Sequence, residues 1–451
     1  MQTQKDHVHA YQFLMYRMTT ALVVGDPSNM ELPTRRGRSG LITGAVIALL
    51  VVVGFGVYGL IVPGGNTAYK QKGAILVEKE SGSRYVYLDG KLMPTPNQAS
   101  AMLVQGAGSK ISVISRNSLA GLARGPQVGI EGAPDTVPRP NELMSGEWLL
   151  CPSAAPNGSP SMSMNFDPDA PNAKLPDTFY IPVQAPDGKL FLIWKGTRFQ
   201  VPDVNSLVAL GLAATKSPFV SNLWLSLIEN GPALTAAEIP DAGDPGLPVA
   251  GRPARVGDLF FHNPGNDTKQ YYVLIEKGLA PLSATEYALL GAKPGAKQPV
   301  EIDAQSILTA PFSPDHSMLT RLPDLVGRQA LVEPELRQVC LRQNGSGSEV
   351  TTSVVFAPGA DRWPSVVEAG AILPPNHGVL VAELPIPEGQ KVPNRYLISD
   401  RGKRFLIPDN DSIQALGLGG VQPVPMRTEV LSSIPAGPAL SRAAVVVEQG
   451  G

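Results

Sequence analysis

The strongest hydrophobic pattern of the chain is an uncharged apolar run at residues 41–62, LITGAVIALLVVVGFGVYGLIV. At about 1.5 Å of rise per residue, a helix of this length crosses a hydrocarbon core of about 30 Å. A buried core helix rarely extends so far without a charge, and a cleaved signal peptide has a shorter apolar part and a shorter stretch before it. The run therefore predicts a transmembrane helix over 41–62 that stays attached to the chain.

A second apolar pattern, with a helical period, lies in the tail that precedes the span. Tyr11, Leu14, Met18 and Leu22 recur every three or four residues, and the sequence Gly-Asp-Pro at 25–27 closes the pattern. The pattern predicts one amphipathic helix in the tail, residues 1–40. Because the tail has no other apolar segment to cover this stripe, the four residues are expected to bind a partner, either another protein or the membrane surface.

Positive charge flanks the span on its N-terminal side. Arg35, Arg36 and Arg38 come just before it, whereas the first charges after it are Lys70 and Lys72. The positive-inside rule therefore predicts a cytoplasmic N-terminus. The bulk of the chain, after the span, is expected outside the cytoplasm.

The region that follows the span repeats itself. Glycine, proline and aliphatic positions of residues 196–212 recur at 402–418, and those of 90–126 recur at 196–232, without a gap. A degenerate further copy is found at 271–291. Each copy contains two strand-like runs around a glycine turn, then a polar cap and a short helix. These features predict four ββα-type repeats, each with a trailing strand or helix.

The helices of these copies carry capping signals at both ends. Asp203 and Asp409 are expected to cap helix N-termini, and Ser283 with Glu286 has the spacing of a capping box. The glycines expected to end the helices in a left-handed conformation are Gly211, Gly291 and Gly417.

Segments between the copies contain both cysteines, Cys151 and Cys340. Two cysteines outside the cytoplasm favour a disulfide, and two reduced, buried thiols are the alternative. Strand-like runs at 354–356 and 379–381 lie in the later of these segments. The cysteine-containing segments and these runs are predicted to form one central β-rich domain, which a bridge between the cysteines would close.

The predicted fold class is α+β, mainly β, with one transmembrane helix and an extracytoplasmic body of four ββα-type repeats around the central domain. The predicted division of the chain is a cytoplasmic tail at 1–40, the span at 41–62, repeat 1 at 70–140, the first segment of the central domain at 141–178, repeat 2 at 179–246, repeat 3 at 255–325, the second segment of the central domain at 326–390 and repeat 4 at 391–446.

Composition agrees with a folded, turn-rich chain and argues against several functions. The chain has 46 Gly and 44 Pro among 451 residues, yet 43% of its residues are apolar, well above what a disordered chain contains. Its net charge of −2 gives no positive field for nucleic acid. It contains no G-x-x-x-x-G-K-[ST] loop, no H-E-x-x-H pair and no cysteine pair with zinc spacing. The sequence predicts no catalytic residue, no cofactor and no metal site.

Several segments together carry a family resemblance over essentially the whole chain. They are YQFLMYRM at 11–18, PNQASA at 96–101, WLLC at 148–151 with the later Cys340, and YYV at 271–273. In these segments the sequence resembles EccB, a core membrane component of the type VII (ESX) secretion systems of actinobacteria. The resemblance implies a location in the inner membrane and a periplasmic body of four repeats around a disulfide-bonded central domain.

The resemblance also implies partners and a function. The implied partners are the EccC motor ATPase, EccD, EccE, the mycosin protease and other copies of the chain. The implied role is a structural component that forms the extracytoplasmic face of the secretion complex and helps to assemble it. Two alternatives stay open: an ATP-hydrolysing subunit, because some family members carry that label, and a module that binds the cell envelope.

Overall fold

The computed structural model describes residues 3–25, 34–61, 67–154, 158–167, 172–213, 215, 217–265, 268–330, 337–358 and 370–447. These residues have a mixed α/β fold with an apolar helix near the N-terminus, several β-sheets and one disulfide. The helices, in chain order, are α1 Gln4–Val24, α2 Thr34–Ile61, α3 Gln98–Gln105, α4 Arg116–Leu119, α5 Val204–Ala209, α6 Asn222–Ser226, α7 Ala284–Gly291, α8 Ala304–Thr309, α9 Asn410–Ala415, α10 Thr428–Ser432 and α11 Arg442–Val447.

Short strands make up most of the remaining regular structure. In chain order they are β1 Ala74–Glu78, β2 Arg84–Leu88, β3 Lys91–Thr95, β4 Lys110–Ile114, β5 Ala123–Arg124, β6 Trp148–Ala154, β7 Pro160–Asn165, β8 Ala173–Lys174, β9 Phe179–Gln184, β10 Leu190–Trp194, β11 Thr197–Val201, β12 Glu229–Asn230, β13 Leu259–His262, β14 Gln270–Ile275, β15 Gly278–Leu282, β16 Val300–Glu301, β17 Gln329–Ala330, β18 Arg337–Ser346, β19 Glu349–Pro358, β20 Ala371–Ile372, β21 Gly378–Leu384, β22 Arg395–Ser399, β23 Arg404–Ile407 and β24 Val424–Arg427.

The predicted transmembrane segment is helix α2. Its residues 37–59 are long and apolar enough to cross a membrane. The helix begins at Thr34, before the apolar run, and so includes the flanking arginines. Val62, the last residue of the predicted span, lies outside the described residues.

Four small sheets follow the span, and each has a helix after three consecutive strands. Sheet 1 has the spatial order β4-β1-β2-β3-β5, sheet 2 β12-β11-β10-β9-β17, sheet 3 β15-β14-β13-β16 and sheet 4 β23-β22-β21-β24. The leading strands pair antiparallel, and the strand that follows the helix in sheets 1, 3 and 4 lies parallel to the first strand.

The order before each helix is thus β-β-β, so the predicted ββα order lacks one strand. The repeated sequence positions begin at the turn after the second strand of sheets 1, 2 and 4. The leading strands β1, β9 and β21 therefore fall outside the repeated pattern.

The hairpin turns of sheets 1 and 2 explain why glycine recurs at one point of the pattern. Asp89 and Gly90 have φ angles of 47° and 77°, and Lys195 and Gly196 have 48° and 79°. Two consecutive residues with positive φ are typical of a type I′ turn, whose twist matches that of the flanking strands. Glycine adopts this conformation without a steric penalty.

The helix caps of sheets 2 and 4 are confirmed at both ends. Oδ1 of Asp203 and Oδ1 of Asp409 each accept the backbone N–H three residues later, at 2.8 and 2.7 Å. Gly211 and Gly417 have φ angles of 70° and 73°. The residue after each glycine donates its N–H to the carbonyl five residues earlier, which is the Schellman pattern of helix termination.

Of the two caps predicted for the helix of sheet 3, the one at Gly291 is wrong and the capping box of Ser283 and Glu286 is confirmed only in its first half. Gly291 is the last residue of α7, and the C-cap is Ala292, whose φ is −90°. Ser283 does cap α7, because its Oγ accepts the N–H of Glu286 at 3.2 Å. The Glu286 carboxylate does not complete a capping box, since it pairs with Arg321 instead.

A glycine packed against the third strand recurs in sheets 2 and 4. The N–H groups of Gly231 and Gly437 donate to carbonyl groups of β11 and β23, at 2.9 and 2.8 Å. A Cβ atom at either position would overlap the ring of Phe199 or Phe405, respectively. Only a residue without a side chain fits under these buried rings.

We expect Gly231→Ala and Gly437→Ala each to lower the free energy of unfolding by about 1–3 kcal/mol, because the phenylalanine ring must leave its packed position. Gly420→Ala is the matched control, since a Cβ there meets nothing within 4 Å. Thermal unfolding of the three variants measures the effect. Equal melting temperatures for the Gly437→Ala and Gly420→Ala proteins would argue against the close packing.

The central sheet has the order β20-β7-β6-β18-β19-β8, with the two cysteine-bearing strands side by side. Strand β19, which contains residues 354–356, belongs to this sheet as predicted. Residues 379–381 do not, because β21 pairs with β22 and β24 of sheet 4. Nearly every residue of β21 is buried, so its apolar run does not reveal which sheet it joins.

The largest apolar core joins the central sheet to sheets 2 and 4. It contains Leu150 of β6, Ile193 of β10 and Val381 of β21, among other buried side chains. The central sheet is thus fixed between two of the small sheets.

Two further cores join the small sheets in pairs. One contains Leu103 of α3 and Ala415 of α9, and so joins sheet 1 to sheet 4. The other contains Leu192 of β10 and Leu289 of α7, and so joins sheet 2 to sheet 3. The shared cores therefore connect sheet 3, sheet 2, the central sheet, sheet 4 and sheet 1 in an unbroken series.

Candidate functional site

The two cysteines lie opposite each other on neighbouring strands of the central sheet. Cys151 is in β6 and Cys340 in β18, in an antiparallel register that pairs Leu150 with Leu341. Their Cα atoms are 4.3 Å apart, both residues are buried, and their sulfur atoms form a disulfide. The predicted bridge is confirmed, in place of two reduced thiols.

Of two buried tryptophans, Trp148 connects strands within the central sheet and Trp224 connects that sheet to helix α6. The indole N–H of Trp148 donates to Oε1 of Gln343 at 3.1 Å, and Nε2 of Gln343 donates to Oγ1 of Thr352 at 3.1 Å. Trp224 of α6 donates its indole N–H to the carbonyl of Leu150 at 3.0 Å. The bonds of both indoles connect residues far apart in the chain, so sequence spacing does not reveal them.

A buried ion pair ties sheet 3 to the segment that precedes it. Oε1 of Glu286, whose side chain is fully buried, accepts a hydrogen bond from Nε of Arg321 at 2.5 Å. Nη2 of the same arginine donates to the carbonyl of Thr235 at 2.5 Å. The pair satisfies one carboxylate oxygen and holds the connection between sheets 2 and 3 in place.

A second buried carboxylate, Glu78 at the end of β1, is held by Arg116. The Nε to Oε1 distance is 2.5 Å, and the Tyr85 hydroxyl donates to Oε2 at 3.3 Å. The hydrogen bond from Arg116 lowers the pKa of Glu78 below its usual value, against the opposing effect of burial. Its stabilisation is therefore present above the unfolded pKa and is lost as the pH falls through the folded pKa. Such a group acts as a structural anion.

The helix predicted in the tail is α1, and its four candidate binding residues are exposed. Tyr11, Leu14, Met18 and Leu22 each have more than half of their surface open to solvent. At its C-terminus, Gly25 has a φ of 74° and donates its N–H to the Ala21 carbonyl. Asp26 and Pro27, which complete the predicted stop signal, lie outside the described residues.

The apolar surface of α1 is wider than one stripe. Phe13, Tyr16 and Val23 are also more than half exposed, and at 100° per residue they lie on the other side of the helix. The spacing of apolar residues in the sequence predicted only the first of these faces. The face that contains Tyr11, Leu14, Met18 and Leu22 is therefore one of two exposed apolar faces of α1.

Arg35, Arg36 and Arg38 lie in the first turns of α2. Positive charge at a helix N-terminus is opposed by the helix dipole, so local helix energetics do not favour arginine there. The preference of cytoplasmic membrane flanks for Lys and Arg does favour it.

Two cavities adjoin Arg427, at the end of β24. One, of ≈ 290 Å³, is lined by Glu229 of sheet 2 and Thr352 of the central sheet, among others. The other, of ≈ 450 Å³, is lined in part by Glu349 and shares Val350 and Arg427 with the first. Sequence reasoning did not find these cavities, because their walls come from three separate sheets.

Sequence segments whose residue types could serve a metal or catalytic site form ordinary caps, turns and backbone contacts. Asp409, in a segment rich in Asp and Asn, caps α9, and the Gly-Ser-Gly-Ser segment at 345–348 ends β18 and forms the turn to β19. Nδ1 of His262 lies 2.9 Å from the backbone carbonyl of Ile302. Among the described residues, no group of three His, Cys, Asp or Glu side chains is placed to hold a metal ion.

The whole chain matches one protein family. Residues 1–451 match the family model of EccB, described as type VII secretion system ESX-1, transport TM domain B. The chain is 27% identical to the ESX-3 secretion system ATPase EccB3 of Mycolicibacterium smegmatis, over 98% of this chain and 90% of the relative. It is 26% identical to the ESX-1 secretion system ATPase EccB1 of the same species, over 99% of this chain and 95% of the relative.

Solved structures share the fold. A chain of an intact ESX-5 inner membrane complex is similar with a TM-score of 0.60 and 23% identity, over 99% of this chain and 95% of that chain. The EccB3 dimer from the ESX-3 core complex is similar with a TM-score of 0.58 and 26% identity, over 82% of this chain and 99% of that chain.

Proposed function

The chain belongs to the EccB family of type VII (ESX) secretion proteins, and on this premise we propose that it is a structural subunit of an ESX inner-membrane complex. It contributes to the periplasmic face of that complex and helps to assemble the translocon. The observation that carries the proposal is the unbroken series of shared cores that follows the one candidate span among the described residues. A body of this kind is suited to hold partners at fixed positions.

We infer that the four small sheets are copies of one unit. Support comes from sheets 1, 2 and 4, in which Gly125, Gly231 and Gly437 donate their N–H groups to the third strand at 3.1, 2.9 and 2.8 Å. In each case the residue three positions later donates to the carbonyl two positions further along that strand. Sheet 3 is the divergent copy, in which Gly278 lies on the third strand itself, against the backbone of Pro311.

The proposed domain division follows from these units. The tail occupies 1–40 and the span 41–62, the first three repeats occupy 70–140, 179–246 and 255–325, and the central domain begins with 141–178. We move the end of the second central-domain segment from 390 to 377 and begin repeat 4 at 378, because β21 is a strand of sheet 4.

The proposed topology has one membrane crossing. Arg35, Arg36 and Arg38 keep the tail in the cytoplasm, and the body lies in the periplasm. The buried disulfide supports this location for the body, since disulfides persist in oxidising compartments.

The proposed docking element is α1, through Tyr11, Leu14, Met18 and Leu22. These exposed apolar side chains need a cover, and the described residues of the tail do not supply one. The proposed partners in the complex are EccC, EccD, EccE and other copies of this chain, with the mycosin protease as a further partner on the periplasmic side. The structural relative described as an EccB3 dimer supports self-association.

A second candidate function is ATP hydrolysis, because the two relatives above are named ATPases. A triphosphate site needs backbone N–H groups that cradle phosphate, usually in a glycine-rich loop. The nearest approach, Gly-Ala-Gly-Ser-Lys at 106–110, connects α3 to β4 and so follows a helix rather than a strand. The scaffold role therefore fits this chain better.

The scaffold proposal predicts the composition and activity of the purified protein. Affinity purification of the tagged full chain from mildly solubilised membranes is expected to yield several other membrane proteins in fixed ratio. The full chain purified alone in detergent is expected to hydrolyse ATP no faster than a heat-treated sample. Recovery of the chain without partners, together with ATP turnover well above the heated control, would favour the enzyme instead.

A further inference from the structure

Sheet 1 is the region of the body that the chain tethers closest to the membrane. Five residues, 62–66, connect the end of α2 at Ile61 to Thr67. The six steps from Ile61 to Thr67 span at most about 22 Å when extended. The 3₁₀ turn Ala68–Lys70 and strand β1 follow directly. We call the end of sheet 1 where β1 and β4 begin its basal end.

The basal end carries a cluster of lysines. Lys70 and Lys72 precede β1, and Lys110 begins β4, where its N–H donates to the Gly73 carbonyl at 2.9 Å. All three lysine side chains are exposed, and none forms a salt bridge among the described residues. The hairpin turn between β2 and β3 adds Asp89 to this end.

Negative charge lies mainly at the opposite end of the sheet. Glu78 is the last residue of β1 and is neutralised by Arg116, and Glu80 follows it. At about 3.3 Å per residue, the length of β1 separates these carboxylates from the lysines by more than about 10 Å. The basal end therefore has a net positive charge.

Strand β4, which begins at the basal end, also exposes apolar side chains. Ile111 is 54% exposed and Val113 59% exposed, on β4, the outermost strand of sheet 1. Among the described residues 67–142, they are the large apolar side chains most open to solvent. Exposed apolar groups beside lysines that form no salt bridge among the described residues are typical of surfaces that lie in the interface of an anionic membrane.

We propose that the basal end of sheet 1 rests on the outer surface of the membrane, with Lys70, Lys72 and Lys110 on anionic lipid phosphates and Ile111 in the headgroup region. This contact fixes the orientation of the body relative to the bilayer. The proposal rests on the single-span architecture proposed above. The short connection to the span and the positive charge of the basal end favour anionic lipid, rather than another protein, as the partner of this surface.

Fluorescence quenching by lipid tests the contact. The full chain is placed in nanodiscs of phosphatidylglycerol and phosphatidylcholine, with an NBD fluorophore on Ile111→Cys; the two native cysteines are in the disulfide and do not react. Phosphatidylcholine that carries a nitroxide on its headgroup is expected to remove about half of the NBD emission. The matched control is NBD on Val204→Cys, which is 71% exposed on α5 of sheet 2 and is expected to stay bright.

Equal quenching at the two positions overturns the proposal, and so does disulfide cross-linking between Ile111→Cys copies, which would assign this edge to self-association. Changing Lys70, Lys72 and Lys110 to Gln is expected to restore emission at position 111, whereas the same change at the exposed Lys277, Lys391 and Lys403 is not. Undiminished quenching in the first triple variant overturns the role of the lysines. Both faces of a nanodisc are open to the protein, and the quenching measurement needs no other component of the complex. Its result is therefore independent of ATP turnover and of partner recovery, which test the proposed function.

Discussion

Replacing Cys151 and Cys340 together with Ala is expected to lower the free energy of unfolding of the body by up to about 5 kcal/mol in the chain-entropy account. The bridge joins residues 189 positions apart, so its loss frees a long loop in the unfolded state. Because it joins the central strands β6 and β18, its loss also loosens the sheet that connects sheet 2 to sheet 4. The effect should therefore reach beyond the two cysteines.

Thermal and denaturant unfolding of the full chain in detergent measure this loss, and intact mass of the unreduced, alkylated protein shows whether thiols are free. Ser153→Ala with Ser161→Ala is the matched control, because it removes one atom from each of two paired residues on β6 and β7 without breaking a cross-link. The control should unfold like the wild-type protein. Two free thiols in the wild type, or equal stability of both double variants, would refute the role of the bridge.

Local signals in the sequence predicted local structure well. Asp203, Asp409, Gly211 and Gly417 cap their helices as expected, because a cap depends on residues within one turn of the helix end. The candidate membrane-spanning helix was predicted equally well, since length and hydrophobicity alone define such a candidate. The prediction that Gly291 ends its helix in a left-handed conformation was wrong, because α7 includes this residue.

Tertiary contacts account for what the sequence did not reveal. The apolar run at 379–381 is a strand, but only its partners β22 and β24 assign it to sheet 4. Glu286 has the spacing of a capping box, yet its carboxylate forms an ion pair with Arg321, which is 35 residues away. Trp224 contributes to the central core through a hydrogen bond across 74 residues. Such pairings depend on how the sheets pack, which periodicity does not encode.

The tail helix carries the second large expected effect. Leu14→Asp together with Met18→Asp places two charges on the exposed apolar stripe of α1, and burial of an unpaired charge in an interface costs several kcal/mol. Docking of the partners should therefore be lost. The body should keep its stability, because the span separates it from the tail. His9→Asp with Gln12→Asp is the matched control, since it adds the same charge to exposed polar positions of the same helix.

The most direct test of the scaffold account is the amount of EccC, EccD and EccE that co-purifies with each tagged variant from mildly solubilised membranes, measured by quantitative mass spectrometry. We predict that the Leu14→Asp/Met18→Asp protein loses most of these chains while the His9→Asp/Gln12→Asp protein keeps them. Full recovery of all three partners with the stripe variant would contradict the claim that α1 docks this chain into its complex.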